Sequence, residues 1–153
     1  MSQTFQAVLG MGWLATALGW WQQRSAHQQE VRKYVIERRQ TMDATPSLLA
    51  VVGFLKEERR SKASGAPLPQ PSMSGEDLRK LPAFLEPLGP ALLLDRRTPK
   101  DAYEVFAEEI LLCHHSKLLW ADDPEPYSDT WWSGFKKLAN ETQRRVGEQP
   151  PPA

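Results

Sequence analysis

The hydropathy pattern begins with a stretch of seventeen uncharged residues, from Phe5 to Trp21, before the chain becomes charged. A helix of that length rises about 26 Å, slightly less than a hydrocarbon core of about 30 Å, so it spans a bilayer only if its flanks adapt. Tryptophans at its end are typical of an interfacial aromatic belt. The pattern predicts a single transmembrane helix over residues 5–21. The residues expected at the membrane interface are Trp13, Trp20, Trp21 and Arg24.

Two other interpretations of this stretch stay open. A cleaved signal peptide normally starts with basic residues, which residues 1–6 lack, and ends in a small-residue cleavage site, which does not follow Trp21. A buried core helix or an amphipathic interfacial helix is consistent with Gly10, Gly12 and Gly19. Glycine weakens a helix, and seventeen residues is the short end of the spanning range.

Lysine and arginine are absent before Phe5 and frequent after Trp21. By the positive-inside rule the C-terminal part is cytoplasmic, which predicts a single-pass protein of the inner (plasma) membrane with the lipid bilayer as a partner. Small residues let membrane helices approach closely and suggest a homodimer. The small residues that would form this contact are Gly12, Ala15, Thr16 and Gly19.

Helical periodicity continues through the rest of the chain, and no strand-like alternation interrupts it. The first helix is expected to continue to about residue 40, within a basic juxtamembrane helical region over residues 22–62. Thr45 and Pro46 are typical of an N-cap and a first helical residue, which predicts a second helix from Pro46 to about Arg60. Residues 63–75 are rich in Pro, Ser and Gly and are expected to form a linker.

Residues 76–146 are predicted to form a helical module. Ser74 and Asp77 match a capping box, and the prolines of residues 77–94 predict two short helices with a turn at residues 88–90. Thr98 and Pro99 favour the start of a helix that reaches Trp120. A last helix ends near Arg145, and residues 147–153 are expected to be disordered. The predicted fold class is therefore all-α, a single transmembrane helix followed by a small cytosolic helical bundle.

Composition is ordinary for a globular domain, with 41% hydrophobic and 25% charged residues. The net charge of zero conceals an asymmetry, because residues 1–63 hold nine Lys or Arg against five acids and residues 64–153 hold ten against fourteen. A basic half beside the apolar stretch suits contact with an anionic leaflet, although a solvated helix face is the alternative. Cys113 is the only cysteine, so no intrachain disulfide can form.

No combination of residues predicts catalysis, a cofactor or a metal site. His114 and His115 are adjacent, and adjacent helical side chains diverge by about 100°, which disfavours a shared metal ion. Cys113 lies on an apolar stripe, where a thiol is usually inert. Basic residues are interspersed with acids, so nucleic-acid binding is not expected. Trp131 diverges from the core-facing Trp132, and either caps another helix or marks a contact with a protein partner or a membrane surface.

The order of elements resembles that of the small bacterial membrane-anchored proteins grouped as domain of unknown function family 4760. The resemblance covers most of residues 5–145 and rests on the segment TPSLLAVVGFL, a helix ending in Leu94 and Asp95, a following amphipathic helix, and an FxxLA-like ending at Phe135, Leu138 and Ala139. It implies an all-helical cytosolic part. It supplies no activity, no cofactor and no functional residues.

These observations predict a membrane-anchored helical protein that acts by binding protein partners. Two alternatives remain: a soluble helical adaptor or homo-oligomer that buries the N-terminal helix against a partner, and a small phage-type membrane-active protein that shares the short apolar stretch. The sequence by itself does not identify the partner.

Overall fold

The computed structural model describes the backbone of residues 2–121 and 132–147, and the side chains of these ranges from Thr16 onward. Every regular element in these ranges is an α-helix, so the predicted all-α class is confirmed. The helices described are α1 (Ser2–Asp43), α2 (Pro46–Ser64), α3 (Gly75–Leu85), α4 (Leu88–Leu93), α5 (Lys100–Glu104), α6 (Ala107–His115) and α7 (Ser133–Val146).

Helix α1 has 42 residues and divides into two parts by burial. Val31, Val35 and Met42 are buried in the core of the bundle. By contrast, Leu18, Trp20 and Trp21 are 59%, 57% and 65% exposed. Because burial of apolar side chains is what holds a helix in a bundle, the second half of α1 is part of the bundle and the turns around residues 16–23 lie outside its core.

No helix within the described residues combines the length and the apolarity needed to cross a membrane. The predicted transmembrane helix over residues 5–21 is therefore not supported by the structure. The reason lies in composition: helix α1 is long enough, but glutamine, glycine and tryptophan make up much of its uncharged part, and they lower its mean hydropathy.

Helix α2 begins at Pro46 as predicted and extends to Ser64, four residues beyond the expected Arg60. Thr45 has the extended backbone of an N-cap, but its side chain makes no capping hydrogen bond and instead donates to the Thr41 carbonyl at 2.7 Å. The helix ends at Gly65, whose φ of +68° is the left-handed conformation that closes many helices.

Ser74 is the N-cap of α3, which is the first half of the predicted capping box. The Asp77 amide donates to the Ser74 hydroxyl oxygen at 3.1 Å, and this hydroxyl donates to the Asp77 carboxylate at 2.8 Å. The predicted turn at residues 88–90 is wrong, because these residues form the first turn of α4 and the break falls at Glu86 and Pro87. Pro90 fits there because first-turn amides have no partner within the helix.

The predicted single helix from Thr98 to Trp120 is also wrong. The Thr98 hydroxyl donates to the Asp95 carbonyl at 2.8 Å and does not cap a helix. The helical conformation is interrupted between α5 and α6. Helix α6 ends at His115, and Trp120 folds back so that its indole N–H donates to the Cys113 carbonyl at 2.8 Å. Periodicity continued through these breaks, so the sequence pattern did not mark them.

The core of the bundle lies between α7 and the helices that precede it. Phe106, Phe135 and Leu138 are completely buried, and the Trp120 ring meets the Trp132 ring edge-on with 5.3 Å between ring centres. Trp132 is half-buried, which agrees with its expected direction towards the core. Trp131, the predicted partner contact, lies outside the described residues.

Ion pairs between the two halves of the chain account for much of the charge asymmetry. Arg39 of α1 lies 2.6 Å from the buried Glu109 carboxylate, while Lys56 and Arg59 of α2 both lie within 3.1 Å of Glu108. These cations come from the region predicted to be basic and juxtamembrane. These cations are paired with acids from the second half of the chain, so only part of the positive charge of that region is left for an outside partner.

Candidate functional site

An open pocket lies where the exposed part of α1 meets the loop between α4 and α5. Its volume is about 340 Å³. We call it the collar pocket, and its lining residues are Trp20, Gln23, Arg24, His27, Asp95 and Arg97. The four lining residues from α1 lie at positions i, i+3, i+4 and i+7, which places them on one side of the helix.

Two guanidinium groups lie close to the Trp20 ring at this pocket. The Arg24 guanidinium carbon is 5.1 Å from the ring centre, and the Arg97 guanidinium carbon is 5.8 Å away. Both distances are within the range of cation–π attraction. Arg24 follows Trp20 by one helical turn, whereas Arg97 reaches it from a distant part of the chain.

The loop that carries Arg97 is fixed by its own hydrogen bonds. The Arg97 amide donates to the Asp95 carboxylate at 2.8 Å, and the Thr98 amide donates to the Asp95 carbonyl at 3.0 Å. This is the turn geometry that aspartate favours. It also directs one Asp95 oxygen towards the loop backbone, so this carboxylate, which lines the collar pocket, is partly satisfied within the turn.

Helix α7 holds the same loop from the other side. The Arg145 guanidinium donates to the Thr98 carbonyl at 3.2 Å and to the Arg96 carbonyl. Hydrogen bonds from Arg144 and Arg145 lower the pKa of Glu141 to about 2, so Glu141 stays ionised and keeps Arg145 in place. These hydrogen bonds fix the backbone of the loop and therefore the position from which the Arg97 side chain extends.

Exposed apolar side chains and exposed cations lie at the same end of the molecule as the collar pocket. Leu94 precedes Asp95 and is 79% exposed, and the Arg96 side chain is exposed as well. On α1, Leu18 and Trp21 are exposed on other sides of the helix, within one turn of Trp20. Apolar and cationic side chains are therefore presented together at this end of the bundle, a combination typical of protein surfaces that contact the headgroup region of a bilayer.

The residues predicted as membrane-interface sites are distributed as follows. Trp20 and Arg24 come together in the collar pocket, and Trp21 is exposed next to it. The side chains of Trp13, Gly12 and Ala15 lie outside the described residues. Of the small-residue set, Thr16 and Gly19 are exposed, and a methyl group added at Gly19 would meet no atom of the described residues within 4 Å.

Asp95 and Arg97 were not identified from the sequence, since nothing in a local pattern connects them to Trp20. A usable signal does exist in the order Leu94-Asp95-Arg96-Arg97-Thr98, where aspartate precedes a turn and an apolar residue lies next to two cations. Gln23 and His27 were missed because no local sequence pattern indicates that the loop of Asp95 and Arg97 meets α1 beside them.

The groups with catalytic potential lie elsewhere. Cys113 is completely buried, and burial, together with the nearby Glu109 carboxylate, raises the pKa of its thiol, which disfavours the reactive thiolate. Burial and the neighbouring His115 and Lys136 lower the pKa of His114. Among the residues that the structure describes, no group of three His, Cys, Asp or Glu side chains could hold a metal ion.

Comparisons with protein-family models, with curated proteins and with solved structures gave no significant match. The resemblance to domain of unknown function family 4760 therefore remains a prediction from the sequence.

Proposed function

We propose that this protein is a membrane-anchored helical interaction protein, held at a bilayer by the first part of α1 and presenting its bundle to a protein partner. The observation that carries the proposal is the exposure of Leu18, Trp20 and Trp21 on a helix whose later turns are buried. Exposed large apolar side chains on one end of a molecule are typical of membrane or partner contacts.

The distribution of charge supports the same orientation. Residues 2–23 of α1 contain no formally charged side chain, and Arg24 is the first cation. Tryptophan prefers the interface over the hydrocarbon core, and a cation one turn further along the helix is then at the level of the lipid phosphates. In this arrangement the bundle lies on the cytoplasmic side of the inner membrane, and the first part of α1 enters the lipid.

A second candidate is a homo-oligomer in which the first part of α1 pairs with a second copy. Gly19 favours it, because it is exposed and glycine is one of the small residues that let two helices approach closely. The two candidates differ in what covers Leu18, Trp20 and Trp21: lipid in the first and protein in the second.

Membrane fractionation tests the proposal. The full chain is expected in the membrane pellet after a carbonate wash, and the purified chain is expected to float with lipid vesicles. The homo-oligomer would be established instead if the chain stays in the supernatant, forms a defined oligomer without detergent and does not bind vesicles. Dye release from vesicles would favour the membrane-active class.

A further inference from the structure

We propose that the collar pocket binds the phosphate of an anionic lipid headgroup, with Arg24 and Arg97 as the paired cations beside the Trp20 ring. This inference rests on the proposed function and names the ligand of the same surface. It goes further because it assigns a specific site, where a general attraction between a basic protein and an anionic membrane would need none.

The donors of the pocket suit a phosphate group. Arginine binds phosphate through a planar fork of N–H groups, and two arginines from different elements line this pocket next to Trp20. Gln23 and His27 line the same pocket and offer further N–H groups. A volume of about 340 Å³ lies at the small end of the range for ligand sites and accommodates a phosphodiester with its glycerol.

The balance of charge at the pocket is positive. Two arginines face one aspartate among the lining residues, and Asp95 already accepts the Arg97 amide. Arg96, next in the chain, is exposed at the same loop. By contrast, Arg32 and Arg39 of α1 are engaged in ion pairs with Asp101 and Glu109.

The position of the pocket matches the depth of lipid phosphates. Trp20 and Trp21 mark the interface, and Arg24 lies one turn, about 5 to 6 Å, further from the hydrocarbon. The loop contributes Arg97 at the same level, and its exposed Leu94 is available to insert among the headgroups. A headgroup that enters this pocket therefore joins α1 and the bundle to the same leaflet.

Vesicle binding by the full chain tests the inference. The test compares vesicles of phosphatidylcholine alone with vesicles of phosphatidylcholine and phosphatidylglycerol, for the wild type and for the double variant Arg24→Gln, Arg97→Gln. Each cation at the phosphate level is expected to contribute about fivefold, so the variant should lose about 25-fold of the preference for anionic vesicles. Binding to neutral vesicles should be unchanged.

The matched control is Arg60→Gln, Lys137→Gln, which removes two exposed cations outside the collar pocket. Diffuse attraction predicts equal losses for both double variants, and that result would overturn the inference. Circular dichroism and thermal midpoints establish that each variant is folded, and Arg97→Gln alone, expected to lose about fivefold, provides a milder second test.

The failures of the two proposals are distinguishable. A wild type that binds neither kind of vesicle refutes the membrane anchor. A wild type that binds both kinds equally leaves the anchor intact and refutes the headgroup site. Calorimetric titration with inorganic phosphate adds a third arm: tight binding of free phosphate without any preference for anionic vesicles would overturn the lipid as the source of the phosphate.

Discussion

The Arg97 guanidinium carbon lies 5.8 Å from the centre of the Trp20 ring, so a loop of the bundle meets α1 close to the end of its uncharged part. This contact makes the helix and the bundle share one surface. Without it, Trp20 and Arg24 would be two residues of an isolated helix. With it, they form one side of a pocket whose other side is held by α7 through Arg145.

The exposed tryptophans are expected to dominate membrane binding. Replacing both Trp20 and Trp21 by alanine should weaken partition into neutral vesicles by at least about tenfold, because tryptophan contributes strongly at the interface. The matched control is Ile36→Ala, which removes an exposed apolar side chain from the same helix further from the proposed interface. Flotation assays measure both, and equal losses would contradict the proposed depth of α1.

Glu58 is expected to link α2 to the end of α6. It is buried and accepts hydrogen bonds from the Ser116 hydroxyl at 2.5 Å, from the Lys117 amide at 2.8 Å and from Lys62, whose Nζ lies 2.7 Å away. Replacing it with glutamine should reduce the free energy of unfolding by about 2 kcal/mol, since hydrogen bonds to charged groups are among the strongest. Glu57→Gln, at an exposed neighbour, should change it by less than about 0.5 kcal/mol. Chemical denaturation measures the free energy of unfolding of both variants, and equal losses would contradict this role of Glu58.

The contribution of Glu58 should depend on pH. Burial opposes its ionisation, but hydrogen bonds from Lys62, Ser116 and Lys117 outweigh burial and lower its pKa. A carboxyl group with a lower pKa in the folded state stabilises above its unfolded pKa of about 4.3, and that stability is lost as pH falls through the folded pKa. The difference between the wild type and Glu58→Gln should therefore be constant near neutral pH and shrink in acid. A difference that grows in acid would contradict this sign.

The ion pair between Arg39 and Glu109 is expected to matter more than the pair between Arg32 and Asp101. The Glu109 side chain is only 4% exposed, whereas both side chains of the other pair are exposed. Arg39→Ala leaves a buried carboxylate without its partner and should cost about 2 kcal/mol, while Arg32→Ala should cost less than about 1 kcal/mol. Urea denaturation measures both. Similar values would show that Glu109 is reached by solvent once Arg39 is removed.

Replacing a glycine within α2 by alanine and replacing the glycine just after its end should change the free energy of unfolding in opposite directions. Gly65 has a φ of +68°, so alanine there is strained and should destabilise by about 1 kcal/mol. Gly53 lies within the exposed face of the helix, and a methyl group added there meets no atom within 4 Å. Gly53→Ala should therefore stabilise by about 0.5 to 1 kcal/mol. Thermal midpoints that move in the same direction for both would contradict the assigned helix end.

The sequence by itself determined the all-α class, the start of α2 at Pro46 and the N-cap of α3 at Ser74. These features depend on residues within about four positions of each other, which is the range over which helical periodicity and caps act. Only the tertiary structure decided the breaks around α4, α5 and α6. It also decided the contact between Glu58 and Ser116, which lie 58 positions apart. Contacts at such separations depend on how helices pack, and no local pattern encodes them; the same holds for the meeting of Trp20 and Arg97 in the collar pocket.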